Sequence, residues 1–281
     1  MRWQGSRRST NVQDYRGSRF GGPGLKLGVG GTLLALVAAY LLGVDPRLLM
    51  GLTESVPSGP APTPQTGVPQ DEQGQFISAV LGETEDTWGT LFAEHGARYS
   101  PPTLVLFTDQ VRSACGFASA AVGPFYCPGD EKIYLDLGFY EELESRFQAP
   151  GDFAQAYVLA HEVGHHVQTL IGTSDRVRAA QRGASEQEAN ALQVRMELQA
   201  DCYAGVWAHH ADQSRQILES GDVEEALKAA SAVGDDTIQK RTQGYVVPDS
   251  FTHGSAEQRM AWFTRGLESG SVEACDTFAG H

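Results

Sequence analysis

Two histidines and a glutamate at a fixed spacing are the residues of this 281-residue chain best suited to chemistry. His161 and His165 are four residues apart, and Glu162 follows the first of them. Side chains four apart on a helix lie one turn above each other, so both imidazoles can bind one Zn²⁺ while Glu162 points toward a metal-bound water. The spacing therefore predicts a metallopeptidase site in which Glu162 is the catalytic base.

The residues on either side of this motif predict the helix that it needs. Apolar residues keep helical spacing from 153 to 171, and Gly172 ends the pattern. An imidazole or carboxylate on an inward-facing apolar stripe is costly to bury unless a metal or a partner compensates it, which favours a metal site over a surface helix. Gly164 is a poor helix former, and its presence indicates that another backbone passes close to this face.

A third protein ligand for the zinc is expected on a separate element. Glu197 is the candidate, because it lies in a segment with helical spacing, 193–205, and shares a helix face with Asp201. Glu197 can bind the metal while Asp201 accepts the free ring N–H of one histidine ligand. Two alternatives stay open: Asp201 is the ligand instead, or the two acids form an ordinary helix pair.

The C-terminal part of the chain offers a hydrogen-bond donor for the oxyanion of the reaction. Ser255, with Gln258 three residues later, predicts a helix N-terminus, and His253 lies in the loop before it. Catalytic groups concentrate on loops, so we expect His253, together with Arg259, to stabilise the tetrahedral intermediate. The alternative is a solvated loop histidine with no catalytic role.

Beyond these residues, short motifs spread over nearly the whole chain resemble the bacterial neutral zinc metallopeptidases, which look like gluzincins with a transmembrane N-terminus. The motifs are Met-Arg-Trp-Gln-Gly at 1–5, Gly-Pro-Phe-Tyr-Cys-Pro at 123–128, Ile-Tyr-Leu-Asp at 133–136, His-Glu-x-x-His at 161–165, Glu-Leu-Gln-Ala-Asp-Cys at 197–202, Phe-Thr-His-Gly at 251–254 and Cys-Asp-Thr-Phe at 275–278. The resemblance implies one zinc ion on His161, His165 and Glu197, with Glu162 as the base.

An uncharged apolar stretch, residues 27–44, predicts one transmembrane helix, because its length is about the minimum that crosses a hydrocarbon core roughly 30 Å thick. Residues 1–27 carry five Arg and one Lys against one Asp, which predicts a cytoplasmic N-terminus and a periplasmic or extracellular catalytic domain on a bacterial cytoplasmic membrane. A cleaved signal peptide is the alternative. The remaining 15 basic and 34 acidic residues argue against nucleic acid as a partner.

These features predict four parts of the chain and an α+β fold. The parts are a basic cytoplasmic segment at 1–26, the transmembrane helix at 27–44, a Pro-rich linker at 45–70 and a zinc metallopeptidase domain at 71–281. Within that domain, the patterns predict a helix up to Glu94, strands at 103–108 and 132–137, and a helix at 226–232. The fold class is a mostly helical, zincin-like domain with a small antiparallel sheet.

Four cysteines lie beyond the predicted membrane helix, in a compartment that permits disulfide formation. Three pairings are possible. We favour Cys115 with Cys127, which would close a short hairpin, and Cys202 with Cys275, which would tie the Glu197 segment to the C-terminal tail. Zinc binding by the cysteines is the weaker alternative, because no Cys-x-x-Cys pair is present.

Two functions from different classes agree with these residues. The first is a membrane-anchored zinc endopeptidase whose substrate is an extended polypeptide, oriented by an edge strand within 123–140. The second is a zinc-stabilised binding or assembly module of the cell envelope, with an envelope protein as its partner. Glu162 favours the enzyme, since a purely structural metal site needs no base beside the water.

Overall fold

Helices make up most of the described residues, which are 1–17 and 63–279 of a computed structural model. The helices are α1 (Glu72–Glu94), α2 (Gly138–Ser145), α3 (Asp152–Leu170), α4 (Thr173–Gln181), α5 (Glu186–Arg215), α6 (Asp222–Ala232), α7 (Asp235–Gln243) and α8 (Ala256–Ser269). The strands are β1 (Val12–Asp14), β2 (Gln65–Thr66), β3 (Thr103–Phe107), β4 (Gln110–Ser113), β5 (Gly116–Ser119), β6 (Phe125–Cys127) and β7 (Lys132–Asp136). The predicted α+β class, mostly helical with a small sheet, is confirmed.

Five of the strands form one sheet in the order β2-β1-β3-β7-β6, and β4 and β5 form a separate hairpin. The sheet is mixed: β1, β3 and β7 run parallel, whereas β2 and β6 pair antiparallel with their neighbours. The predicted purely antiparallel sheet is therefore wrong. The parallel pairs β1–β3 and β3–β7 join strands that are far apart in the chain, as parallel pairing requires long connections.

The N-terminal residues belong to the same unit as the catalytic region. Strand β1 pairs in parallel with β3, Val12 opposite Leu104, and Val12 is buried. The amino group of Met1 donates to Asp152 Oδ1 at 2.6 Å, at the start of α3. Met1–Asp14 and the chain from Gln65 onward thus form one compact unit, whereas the sequence predicts a separate segment 1–26 and a domain that begins at 71.

The predicted transmembrane helix at 27–44, and most of the predicted linker, lie outside the described residues. Within residues 1–17 and 63–279, no helix is both long enough and apolar enough to cross a membrane. The transmembrane segment therefore stays a prediction.

Helix α3 lies at the centre of the helical part, in contact with α1, α5 and α6. The Phe153 ring stacks on Trp207 of α5 with centroids 5.8 Å apart, and the Tyr157 ring packs edge-on against Phe263 of α8. These large rings are almost fully buried, so they fix the position of α3 along its length. The predicted helical pattern at 153–171 is confirmed.

Two disulfide bonds join the predicted cysteine pairs. Cys115 is bonded to Cys127, which connects the β4–β5 turn to the end of β6. Cys202 is bonded to Cys275, which ties α5 to the C-terminal segment. Both favoured pairings are confirmed, and no cysteine remains free among the described residues for a metal.

Candidate active site

Helices α3 and α5 bring the predicted zinc ligands together. A Cβ atom at Gly164 would lie 2.9 Å from the Ala200 carbonyl oxygen, so only glycine allows α5 to approach α3 this closely. This confirms the expectation that another backbone passes that face. Because Ala200 is three residues from Glu197, the close contact sets the Glu197 carboxylate against the two motif histidines.

The three side chains converge on one point. Glu197 Oε2 lies 3.2 Å from His161 Nε2 and 3.5 Å from His165 Nε2. Ligand atoms about 2.0–2.1 Å from a tetrahedral zinc are about 3.3 Å apart, so these spacings fit one ion. Two imidazole nitrogens and one carboxylate oxygen also form a typical donor set for a catalytic zinc with an open fourth position. The residues present therefore fit the metal.

Each histidine is oriented by a hydrogen bond at its other ring nitrogen. His161 Nδ1 donates to Asp201 Oδ1 at 2.8 Å, as the sequence predicts, and His165 Nδ1 donates to Gln168 Oε1 at 2.9 Å. Both rings therefore direct Nε2 toward Glu197. Gln168 is a residue that sequence reasoning missed, although its position three residues after His165 on the same helix could have suggested it.

A buried arginine compensates the charge of Asp201. Arg259 of α8 donates from Nε to Asp201 Oδ2 at 2.8 Å and from Nη2 to Oδ1 at 2.9 Å, and the Tyr157 hydroxyl donates to Oδ1 at 2.6 Å. Burial disfavours the Asp201 carboxylate, but Arg259 and His161 outweigh it and lower its pKa to about 2. We expected Arg259 to act on the oxyanion. The structure places it against Asp201, where it keeps that acid ionised.

The ligand side chains strongly perturb one another. Burial opposes protonation of His161, but the carboxylates of Asp201 and Glu197 raise its pKa to about 9. Burial also opposes protonation of His165, and Glu197 again raises the pKa. Burial opposes ionisation of Glu197, yet the two imidazoles lower its pKa well below the usual range. A divalent cation competes with these protons for the same ring nitrogens, so its binding releases protons.

The predicted oxyanion donor, His253, has its own carboxylate partner. This partner is Asp235, the first residue of α7. Its Oδ1 atom lies 3.2 Å from His253 Nδ1. Its Oδ2 accepts from the backbone N–H groups of Thr252, His253 and Gly254 at 2.7, 2.6 and 3.0 Å. The hydrogen bond to Asp235 raises the pKa of His253. Sequence reasoning missed Asp235, since the pairing joins residues 18 positions apart across an irregular loop.

One cleft of about 620 Å³ is lined by the predicted zinc ligands and the predicted catalytic groups. Its lining includes the two ligand histidines, Glu162, Glu197 and His253. Residues before and within the edge strand β6, including Phe125 and Tyr126, form another part of its wall. One wall of the cleft is therefore formed by helices that carry the charged groups. Another wall is formed by β6 and the residues before it, which present main-chain atoms and apolar side chains.

Three histidines outside this group, His166, His209 and His210, have structural contacts. His166, which the sequence indicates is a packing or surface residue, is buried between the Tyr126 hydroxyl and the Ser100 carbonyl oxygen. His209 and His210 contact the carbonyl oxygens of Leu267 and Gly270. None of these three is brought to the zinc ligands.

Comparison with known proteins gives one family and several relatives. The family model described as "Putative neutral zinc metallopeptidase" matches residues 1–278. The chain is 50% identical to the uncharacterized protein YpfJ of Escherichia coli K12 over 288 residues, 99% of each chain. It is 41% identical to the uncharacterized protein Rv2575 of Mycobacterium tuberculosis H37Rv over 255 residues, 86% of this chain and 85% of the relative. No solved structure is significantly similar.

Proposed function

Because the chain belongs to the neutral zinc metallopeptidase family, we propose that it is a zinc-dependent endopeptidase that hydrolyses polypeptides. The observation that carries this proposal is the convergence of His161, His165 and Glu197, whose two distances to the Glu197 carboxylate match the edges of a zinc tetrahedron. Glu162, next to the first ligand, lines the same cleft. A purely structural zinc site needs neither an open position nor an acid beside it.

The residues divide into those that hold the metal and those that move protons. His161, His165 and Glu197 would hold one zinc ion, which when bound lowers the pKa of its water and polarises the scissile carbonyl. Glu162 accepts a proton from the water and later gives it to the leaving amine. Asp201, Gln168 and Arg259 keep the ligands in position, since each of them contacts a ligand or the direct partner of one.

His253 is the proposed donor to the oxyanion. It lies in the cleft with its side chain 51% exposed, so a substrate can reach the imidazole. Asp235 acts as its positioning residue, because one carboxylate oxygen contacts Nδ1 and the other fixes the backbone of the loop. This arrangement leaves Nε2 as the nitrogen available to a substrate oxygen.

The proposed substrate is an extended polypeptide that adds to the sheet at β6. Strand β6 pairs with β7 on one side, and it is the last strand of the sheet within the described residues. An added strand forms main-chain hydrogen bonds that do not depend on the side chains of the substrate. This pairing would align a scissile bond with the cleft and explains why we propose internal cleavage of chains.

We also propose that the protein associates with a bacterial cytoplasmic membrane through residues 27–44, with its catalytic domain periplasmic or extracellular. Because β1 pairs with β3, we propose that residues 1–14 share that compartment, although the charge pattern of the sequence predicts a cytoplasmic N-terminus. Single cysteines at the exposed positions Gln4 and Glu268 should then be labelled together by a membrane-impermeant maleimide. Labelling of only one of them in intact cells would contradict the shared compartment.

The decisive experiment compares the zinc-loaded chain with its Glu162→Gln variant on an unfolded protein substrate. Zinc content should be the same in both, because Glu162 is not a ligand. Loss of the general base should lower kcat by about 10²–10⁴-fold. A chelator should abolish hydrolysis and added zinc should restore it. If both zinc-loaded proteins lack turnover, the alternative of a binding or assembly module gains the support instead.

A further inference from the structure

A surface segment of unusual composition borders the cleft. Residues 113–129 contain no charged side chain, although the whole chain carries a net charge of −14. Phe117 of β5 is 64% exposed and Val122 is 68% exposed, the highest values for large hydrophobic side chains among the described residues. Exposed apolar side chains grouped in one place commonly mark a binding surface.

This segment is fixed in place beside the edge strand. The Cys115–Cys127 disulfide joins the β4–β5 turn to β6. The Ala120 N–H donates to the Asp109 carbonyl oxygen at 2.7 Å, and the Ala114 N–H donates to Asp130 Oδ2 at 3.0 Å. The exposed side chains therefore lie on a hairpin that a disulfide and hydrogen bonds hold in place.

The same surface continues into the cleft. The 3₁₀ turn Ala120–Val122 lines the cleft that holds the zinc ligands, and Phe117 precedes it by three residues. We call Phe117 with Ala120–Val122 the apolar rim. Other parts of the cleft wall are also apolar, with the side chains of Phe139, Phe147 and Val158. A ligand that reaches the metal along β6 would therefore pass over the apolar rim.

We propose that the apolar rim binds apolar side chains of the substrate and makes the enzyme selective for unfolded polypeptides. This inference rests on the proposed endopeptidase function and names its substrate class. An unfolded chain offers both an unpaired extended backbone for β6 and accessible apolar side chains for the rim, whereas a folded protein buries most of both. The continuity of the rim with β6 and the cleft favours this occupant over a second copy of the chain.

The test measures binding separately from hydrolysis. The full chain carrying Glu162→Gln is loaded with zinc and titrated with two fluorescent ten-residue peptides, which have leucine or serine at the same alternate positions. Adding Phe117→Ser and Val122→Ser should weaken binding of the leucine peptide by about tenfold and leave binding of the serine peptide unchanged. With Glu162 present, the same two substitutions should lower kcat/KM on the leucine peptide by a similar factor.

Two matched variants control for nonspecific effects. Tyr245→Ser removes a side chain that is 62% exposed but does not line the cleft, and it should leave both affinities unchanged. Phe117→Leu with Val122→Ile keeps the rim apolar and should retain the preference for leucine. Unchanged leucine-peptide binding in the serine variant, or an equal loss for both peptides, would overturn the proposal. Selective binding without zinc-dependent hydrolysis would support the rim and overturn the endopeptidase function.

Discussion

Two histidine–aspartate pairs border the cleft, and their surroundings differ. In the pair His161–Asp201, the Nδ1–Oδ1 distance is 2.8 Å and the Asp201 side chain is completely buried. In the pair His253–Asp235, the corresponding distance is 3.2 Å and the His253 side chain is 51% exposed. Asp201 is held by a buried arginine, whereas Asp235 is held by backbone N–H groups.

The difference indicates two tasks for the same chemical pair. Burial and the Arg259 charge restrict the His161–Asp201 pair to a single side-chain arrangement. Such a fixed orientation suits a histidine that must hold a metal. The half-exposed His253 can approach a substrate, while Asp235 limits its orientation without enclosing it. Comparable substitutions in the two pairs should therefore change different properties of the protein.

Asp201→Asn should have the largest effect on stability. It leaves the Arg259 guanidinium buried without its counter-charge, which costs about 3–5 kcal/mol in the free energy of unfolding. Zinc affinity should also fall by about 10–100-fold, because His161 loses the acceptor that orients it. Urea denaturation and zinc competition with a chelator measure these two effects. Asp235→Asn is the matched control, and its loss should be smaller because Asp235 faces backbone N–H groups and a half-exposed histidine in place of a buried arginine.

The same pair predicts how stability changes with pH. The folded-state pKa of Asp201 is lowered to about 2 from an ordinary value of 3.8. A carboxyl group with a lowered pKa contributes stability that is present above its unfolded pKa and is lost as the pH falls through its folded pKa. The stability difference between the parent chain and Asp201→Asn should thus be constant between about pH 5 and pH 6 and shrink toward pH 2. Without zinc it should also fall between about pH 6.5 and pH 9, where His161 loses the proton that Asp201 helps it to hold. A difference that is already lost near pH 6 would contradict this assignment.

The second pair should govern turnover. Removing one oxyanion donor typically lowers kcat by about 10²–10³-fold, so we expect such a loss for His253→Phe with zinc affinity unchanged. Asp235→Asn should lower kcat less and should also change its pH profile. Because the hydrogen bond to Asp235 raises the pKa of His253, the variant should lose its protonated imidazole, and its activity, at lower pH than the parent. An unmoved alkaline limb in Asp235→Asn would remove His253 from this role.

The two pairs also differ in how far sequence could predict them. His161, Glu162 and His165 follow from local helical spacing, and Glu197 with Asp201 follows from the same rule on a second helix. The cysteine pairs were predictable because four cysteines allow only three pairings and chain position favoured one. The helical spacings are local and the number of cysteine pairings is small, so neither prediction requires knowledge of tertiary packing.

Apart from Gln168, the features that sequence reasoning missed depend on contacts between distant segments. Asp235 meets His253 only because an irregular loop folds back on the start of α7. Arg259 reaches Asp201 because α8 packs along α5, a contact that no local pattern encodes. Strand β1 is only three residues long, and β3, with which it pairs in parallel, lies about ninety positions later in the sequence. A basic N-terminus ahead of an apolar stretch predicts a cytoplasmic tail, whereas the proposal of a shared compartment rests on the pairing of β1 with β3.

Gln168 offers the smallest and most specific test of the ligand geometry. Its Oε1 accepts from His165 Nδ1, while its Nε2 donates to the Met196 carbonyl oxygen at 2.7 Å. The residue thus joins one ligand to the backbone beside the other, Glu197. Gln168→Leu keeps the volume but leaves His165 Nδ1 without its acceptor, so zinc affinity should fall by about tenfold, the lower end of the range for such partners.

The size of this loss relative to Asp201→Asn separates two explanations of the site. If orientation alone matters, Gln168→Leu and Asp201→Asn should lower zinc affinity by nearly the same factor, because Gln168 and Asp201 each fix one histidine ring through one hydrogen bond. If charge matters as well, Asp201→Asn should lower zinc affinity more than Gln168→Leu does, since a carboxylate partner also makes the imidazole a stronger donor to the metal. We expect the second result, measured as zinc affinity by chelator competition at one pH. Equal losses would mean that the Arg259 cation cancels the electrostatic effect of Asp201 on His161.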